Sequence, residues 1–433
     1  MELESPTINP LQNLKYSLFI KRRFWPIFVA TFLGAFNDNL LRSGLVVLIA
    51  YSGTHGITLP AQPEILVTIC SALLVFPLML FSSTAGTLAD KYEKSLLVKC
   101  TKAAEMGIMA CAFYGFAHHN ILLLMSLLFV SGTHTSFYSP IKFSILPDHL
   151  HNKELLAGNG FMAGGSYLAV LCGLIAGGLL VESPDNVIGM VAVSVACAGW
   201  LASLFILPSR ITHPQTKIGW NIWKGSKDIV IYACRDKTIM LSIFGLSWFL
   251  LVGSVFMSQF ANYAQAVVHA DNEVYILFLT VFSVGIAMGS VLCDRLLKGE
   301  ISLHLTPIAV FGVSFFTYLM VAVTPQHVHG ELQSVSVFLS TPQHWIILGC
   351  MLMVAICGGI YMVPLYATLQ SHTPAQYRSR VMAASNLSDS VFMTVAALLS
   401  ALLLSLDFRI TDLFLFTATL NLPIIYYARR ITS

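Results

Sequence analysis

The sequence predicts an all-α polytopic membrane protein with twelve transmembrane helices. Three observations carry that prediction. The 433-residue chain is 56% hydrophobic and only 10% charged, where an average soluble protein has about 25% charged residues. Its apolar residues gather into long runs, most near the roughly 20 residues needed to cross a hydrocarbon core. Its basic residues fall almost wholly in every second connection, the asymmetry that sets membrane orientation.

Taken in order, the runs predict helices over 25–51, 65–89, 96–117, 121–145, 155–181, 187–207, 239–264, 273–297, 303–323, 344–369, 381–405 and 411–428. The first follows Lys21, Arg22 and Arg23. It is long and has no small-residue cleavage site, so it reads as a membrane helix and not a signal peptide. The longest gap divides the chain into a cytoplasmic segment 1–24, a six-helix bundle 25–207, a central cytoplasmic loop 208–238 and a second six-helix bundle 239–433.

With both termini cytoplasmic, the inner connections hold Lys91, Lys94, Lys99, Lys102, Lys153, Arg210, Lys217, Lys224, Lys227, Arg235, Lys237, Arg295, Lys298, Arg378, Arg380, Arg429 and Arg430. The outer ones carry Glu64, Glu182, Asp185, Asp271, Glu273, Glu331, Asp407 and Asp412, with Arg409 their single base.

The net charge of +3 is too small to point to nucleic acid. The nine cysteines form no C-x-x-C pair and read as small hydrophobes. His55, His118, His119, His269, His327 and His329 lie in outer connections with no ligand-spaced Cys or carboxylate, so no metal is expected. No nucleophile–base set or glycine-rich phosphate loop appears, so neither an enzyme nor a cofactor is expected.

Ionisable and polar groups at membrane depth are costly, so each is a functional-site hypothesis. The first run is densest, with Asn37, Asp38, Asn39 and Arg42. Asp38 and Arg42 share a helix face at i,i+4, where they can pair. Tyr138 and Lys142 follow in the fourth run, Gln259 and Asn262 in the seventh, and Asn386 and Asp389 in the eleventh; Glu105 and His134 are further buried candidates, His134 reading more as a packing residue. Gly158, Gly160, Gly164, Gly165, Gly253 and Ser254 suggest thin walls where a lipid tail could pass between halves.

The halves echo each other. The second run ends Gly86-Thr-Leu-Ala-Asp90-Lys91 and the eighth ends Ser290-Val-Leu-Cys-Asp294-Arg295. The stretches from Pro140 to Asn159 and from Pro364 to Asn386 each lead through a polar turn into a small-small-Asn helix entry.

The stretch GTLADKYEKS resembles motif A of the major facilitator superfamily, keeping Gly86, Leu88, Asp90 and Lys91, with Glu93 where glycine is usual. That resemblance implies a major facilitator fold of two six-helix halves around a midplane site. It also implies a gate of Gly86, Asp90 and Lys91, echoed by Asp294 and Arg295, with Asp90 facing Arg378 and Arg380 at the start of helix 11.

FLGAFNDNLLRSGLVVLI, YSPIKFSILPDHL, LLAGNGFMAGGSYLAVLCGLIAGGLL and SWFLLVGSVFMSQFANYAQ resemble the superfamily's lysophospholipid transporter branch, in particular the transporter domain of bacterial transporter–acyltransferase fusions. This implies flipping of lysophospholipids, such as lysophosphatidylethanolamine, from the outer to the inner leaflet of the bacterial inner membrane. A separate cytoplasmic acyltransferase would then be a partner. Residues carried over are Asn37, Asp38, Asn39, Lys142 and Asn159. The chain departs in helix 7, where only apolar residues and Ser surround Val255 in place of a buried Arg, leaving Arg42 to take part of that role.

The rival reading is a permease or exporter of a small polar metabolite, siderophore or drug. A drug–proton antiporter is disfavoured because helix 4 has no Arg and Gly173, Gly177 and Gly178 lack the accompanying proline. A scaffold or receptor would not need charges at mid-membrane.

Overall fold

The computed structural model describes residues 18, 21–50, 63–181, 183, 186–209, 222–325 and 332–432. Arg210, Lys217, His55, His327, His329, Glu182, Asp185 and Glu331 lie outside these residues, as does nearly all of segment 1–24.

Among the described residues the chain is helical, with twelve helices of at least 18 residues: α1 Trp25–Ala50, α2 Pro63–Lys91, α3 Lys94–Ala117, α4 Ile121–Ser144, α5 Asn152–Leu180, α6 Val187–Leu204, α7 Lys237–Asn262, α8 Asn272–Leu296, α9 Thr306–Val323, α10 Pro342–His372, α11 Arg378–Ser405 and α12 Ile410–Thr432. Ten of these segments are long and apolar enough to cross a membrane, and α12 contributes a shorter apolar stretch, Ile410–Tyr426. The remaining helix, α3, carries Lys94, Lys99, Lys102 and Glu105.

Several ends are set by side chains that satisfy backbone N–H groups left open at a helix start. Asn120 accepts from Leu123 at α4. Asp236 accepts from Thr238 and Ile239 at α7, and Asp271 from Glu273 and Val274 at α8. His151 and Glu154 form a capping box at α5, and Glu154 also ion-pairs with Lys21 and Arg23.

The packing is two-fold. In the first half α1 packs on α5 and α6, α2 on α4, and α3 on α4 and α6. In the second half α7 packs on α11 and α12, α8 on α10, and α9 on α10 and α12. The halves meet through α5 against α8 and its counterpart α11 against α2, and through α4 against α11 and its counterpart α10 against α5. Pro140 and Pro364 lie inside the matching helices α4 and α10.

Glycines set these approaches. A Cβ on Gly160 would lie 2.5 Å from the Ser290 carbonyl on α8, and one on Gly164 would lie 3.0 Å from the Ala287 Cα. A Cβ on Gly165 would meet the Phe28 ring. The α5 glycines therefore admit neighbouring helices closely and do not form the thin walls expected of them. Gly253 is different, with nothing within 4 Å of an added Cβ.

The central connection contains an unexpected amphipathic helix, Ile222–Arg235. Ile229 and Ala233 are buried while Lys227 and Asp228 are exposed. The helix packs against α2, α7 and α11, so it touches both halves.

Candidate functional site

Two layers of polar residues occupy the interior. The first is built within the N-terminal half by α1, α3 and α4. Lys102 Nζ donates to Glu105 Oε2 at 2.6 Å, and the two side chains are 0% and 2% exposed. The i,i+3 spacing puts both on one face, where each offsets part of the cost of burying the other. Gly34 on α1 makes room for the ammonium, since any added Cβ would collide with Lys102 Nζ. The same ammonium lies 4.9 Å above the Tyr138 ring. Lys102 is therefore no loop charge, and Lys94 is buried too.

Asn37 is fully buried and donates to Glu105 Oε1 at 3.3 Å and to the Ala192 carbonyl at 3.2 Å. Asp38, one residue on, is partly exposed and accepts from Ser131 at 2.6 Å and Thr135 at 2.8 Å. The expected Asp38–Arg42 pair does not form. Two α4 hydroxyls take the carboxylate, while Arg42 has Tyr275 of α8 and Cys70 of α2 as its electrostatic neighbours. Asn39 bonds back to the Ala35 carbonyl and packs against Gly173 of α5. Tyr138 is buried and shares a 2.7 Å hydrogen bond with Thr31.

The second layer lies where the halves face each other. Lys142 on α4 is partly exposed, with Asp38 of its own half and Asp389 of the other as its acidic neighbours. Asp389 is buried and accepts from Ser247 of α7 at 2.6 Å. Asn386, one turn before it, accepts from Ser139 at 3.1 Å, while its amide nitrogen is buried without a partner. Tyr167 and Tyr366 complete this layer as further neighbours of Asp389. Gln259 stands apart near the end of α7, accepting from Asn262 at 2.9 Å.

The end of the bundle that carries Lys91 and Arg378, the basic face, is closed. Asp90 accepts from the Ser379 and Arg380 backbone amides at 2.9 and 3.3 Å and from Arg380 Nε at 3.0 Å. It thus caps α11 as well as pairing with its base. Gly86 permits the approach, since a Cβ there would stand 2.6 Å from Ala383 Cβ. Asp90 thus faces the segment of Arg378 and Arg380 as expected, pairing directly with Arg380 and having Arg378 as a further electrostatic neighbour. Arg378 reaches Asp148 at 3.4 Å and the Gln370 carbonyl at 3.1 Å, and Asp148 also holds Lys94 at 2.7 Å. Asp294 is buried, Arg295 is exposed, and Lys91 lies 5.6 Å over the Tyr92 ring.

Asn159, carried over as a substrate residue, is wholly buried. It exchanges two 2.8 Å hydrogen bonds with Gln370 of α10, joining the halves. Sequence reasoning missed Gln370, Asp148, Tyr167 and Tyr366. Only Gln370 left a signal, as an amide inside an apolar run.

Two related six-helix halves, charged between them and joined at one end, define a polytopic membrane transporter. The chain belongs to the Major Facilitator Superfamily, whose family description matches residues 27–332. It is similar to the lysophospholipid transporter LplT of Escherichia fergusonii, at 26% identity over 79% of each chain. It is also similar to that of Serratia proteamaculans, at 24% identity over 84% of this chain and 82% of the relative. Among solved structures, a bacterial homologue of the iron transporter ferroportin in an outward-facing state superposes with a TM-score of 0.65 at 14% identity, covering 94% of this chain and 98% of that one. The E. coli fucose:proton symporter superposes with the same score at 10% identity, covering 94% and 98%. These two show the shared fold.

Proposed function

We propose that the protein flips lysophospholipids, such as lysophosphatidylethanolamine, from the outer to the inner leaflet of the bacterial inner membrane by alternating access. The observation that carries this reading is that the acidic electrostatic neighbours of Lys142 are Asp38 and Asp389, carboxylates from opposite halves. A zwitterionic head group offers one phosphate and one ammonium. Lys142 suits the phosphate through charge-assisted hydrogen bonds, and the carboxylates suit the ammonium. The relatives named for lysophospholipid transport, matched over about four-fifths of this chain, support the substrate class.

The basic face and both termini are assigned to the cytoplasm. With that face closed by Asp90, Asp148 and the Asn159–Gln370 pair, the site faces the outer leaflet, from which a lipid enters. Opening would break these contacts and release the lipid inward, where a separate cytoplasmic acyltransferase restores the second chain. The test is a leaflet-resolved assay of labelled lysolipid in proteoliposomes beside a panel of polar solutes. Movement of single-chain but not two-chain phospholipids is expected. Protein that moves a polar metabolite and leaves lysolipid in its original leaflet would promote the permease reading.

A further inference from the structure

His134 lies beside the site and is used by nothing described so far. Its side chain is 6% exposed, and its Nε2 stands 3.9 Å from Glu105 Oε2. That is too long for a hydrogen bond, and neither ring nitrogen completes one in this conformation; the other near acceptor is the Thr101 backbone carbonyl. Leaving a buried polar group unsatisfied costs about 1–3 kcal/mol. An imidazole so placed stores a tendency to gain a partner.

The charged groups nearest it come from α1 and α3, two of the helices packed on α4. From α1 comes Asp38, held by Ser131 and Thr135 on either side of His134 in sequence. From α3 come Lys102 and Glu105. On α11, Asp389 is bound to Ser247 and neighbours Lys142. On α2, Asp90 and Lys91 lie at the basic face, and Cys70 lies toward the other end beside Arg42. On α4 itself, the Tyr138 ring lies parallel to the imidazole at 6.3 Å and 6°, and Lys142 lies two turns on.

We propose that His134 is a proton-binding site that couples protonation to binding of a phosphate-bearing ligand at Lys142. A proton on Nε2 creates an imidazolium flanked by Glu105 and Asp38. The charge draws the ring and Glu105 together toward the roughly 2.7–2.9 Å of a charge-assisted bond, in competition with Lys102 for the same carboxylate oxygen. Glu105 also holds Asn37, the residue preceding Asp38, so the change reaches the ligand-facing carboxylate through one peptide link. Charge balance gives the direction. With a neutral imidazole and the carboxylates ionised, Lys102 and Lys142 face Asp38, Glu105 and Asp389, two positive charges against three negative. A head group of net negative charge deepens that deficit and the proton offsets it, whereas a zwitterionic head group leaves the balance unchanged. Proton and anionic head group therefore favour each other's binding, to the same extent by linkage. The coupling rests on the proposed role of Lys142; the proton site itself does not.

The full chain in nanodiscs, with nitrogen-15-labelled histidine, tests the site directly. The resonance lost in His134→Gln, or in His134→Asn should the first variant fold poorly, is expected to pass from imidazole to imidazolium between about pH 8 and about pH 5. A His134 resonance that stays neutral throughout overturns the proposal. In proteoliposomes, uptake of a lysolipid with a net anionic head group by the wild type is expected to rise at least about fivefold over that range, the low end of ordinary coupling, and to be flat in the variant. A flat wild-type profile overturns the coupling. Protein whose His134 titrates but which moves no lysolipid supports the proton site and removes the substrate assignment.

Discussion

Replacing Glu105 by Gln keeps the shape of the side chain and removes its charge. Lys102 is fully buried, with Glu105 Oε2 at 2.6 Å and the Tyr138 ring beneath its ammonium. Gly34 backs the ammonium so closely that it has no room to withdraw toward α1. Breaking a buried ion pair by removing one partner costs about 3–5 kcal/mol. Near the lower figure, that is roughly a hundredfold in the folded-to-unfolded ratio. The expected outcome for Glu105→Gln is a clear fall in thermal stability, read by size-exclusion monitoring of heated, detergent-solubilised protein. The double variant Lys102→Met with Glu105→Gln removes the stranded charge and is expected to recover most of the loss, because apolar replacement of a whole buried pair is often neutral. If the single and double variants melt together, at or below the single variant's temperature, the pair is not what makes Glu105 matter and the reasoning fails.

Other expectations concern the gate, the site and the orientation. Gln370→Ala leaves the buried Asn159 side-chain carbonyl without its donor, a cost of about 1–3 kcal/mol borne only while the basic face is closed; cysteine accessibility near α10 on that face should rise, and an unchanged pattern would show that the pair is not a latch. Gly86→Val should separate α2 from α11, because even a Cβ would sit 3.0 Å from the Ser379 carbonyl, and spin labels on the two helices should report a longer distance. Asp38→Asn should abolish most transport while leaving membrane insertion intact; normal uptake would make Asp38 a packing residue. With the basic face cytoplasmic, a cysteine at Asp271 should label from outside intact cells and one at Lys227 should not.

The one-dimensional terms of this protein were legible in its sequence. A helix satisfies its backbone locally and its length is set by the bilayer, so hydropathy alone located twelve segments close to where they lie. The Asp90 motif and the paired prolines, Pro140 and Pro364, announced the repeat because they recur at fixed places within each half. What the sequence could not rank was partner choice. Asp38 and Arg42 share a face, yet two α4 hydroxyls nearly a hundred residues away hold the carboxylate. Lys102 read as a loop base because its position at the edge of an apolar run says nothing of Glu105 and Gly34 closing around it. Asn159 read as a ligand group until Gln370, 211 residues on, took both ends of its amide. Such choices depend on which helix faces bury together, and desolvation makes the nearest satisfied arrangement win over the nearest in sequence.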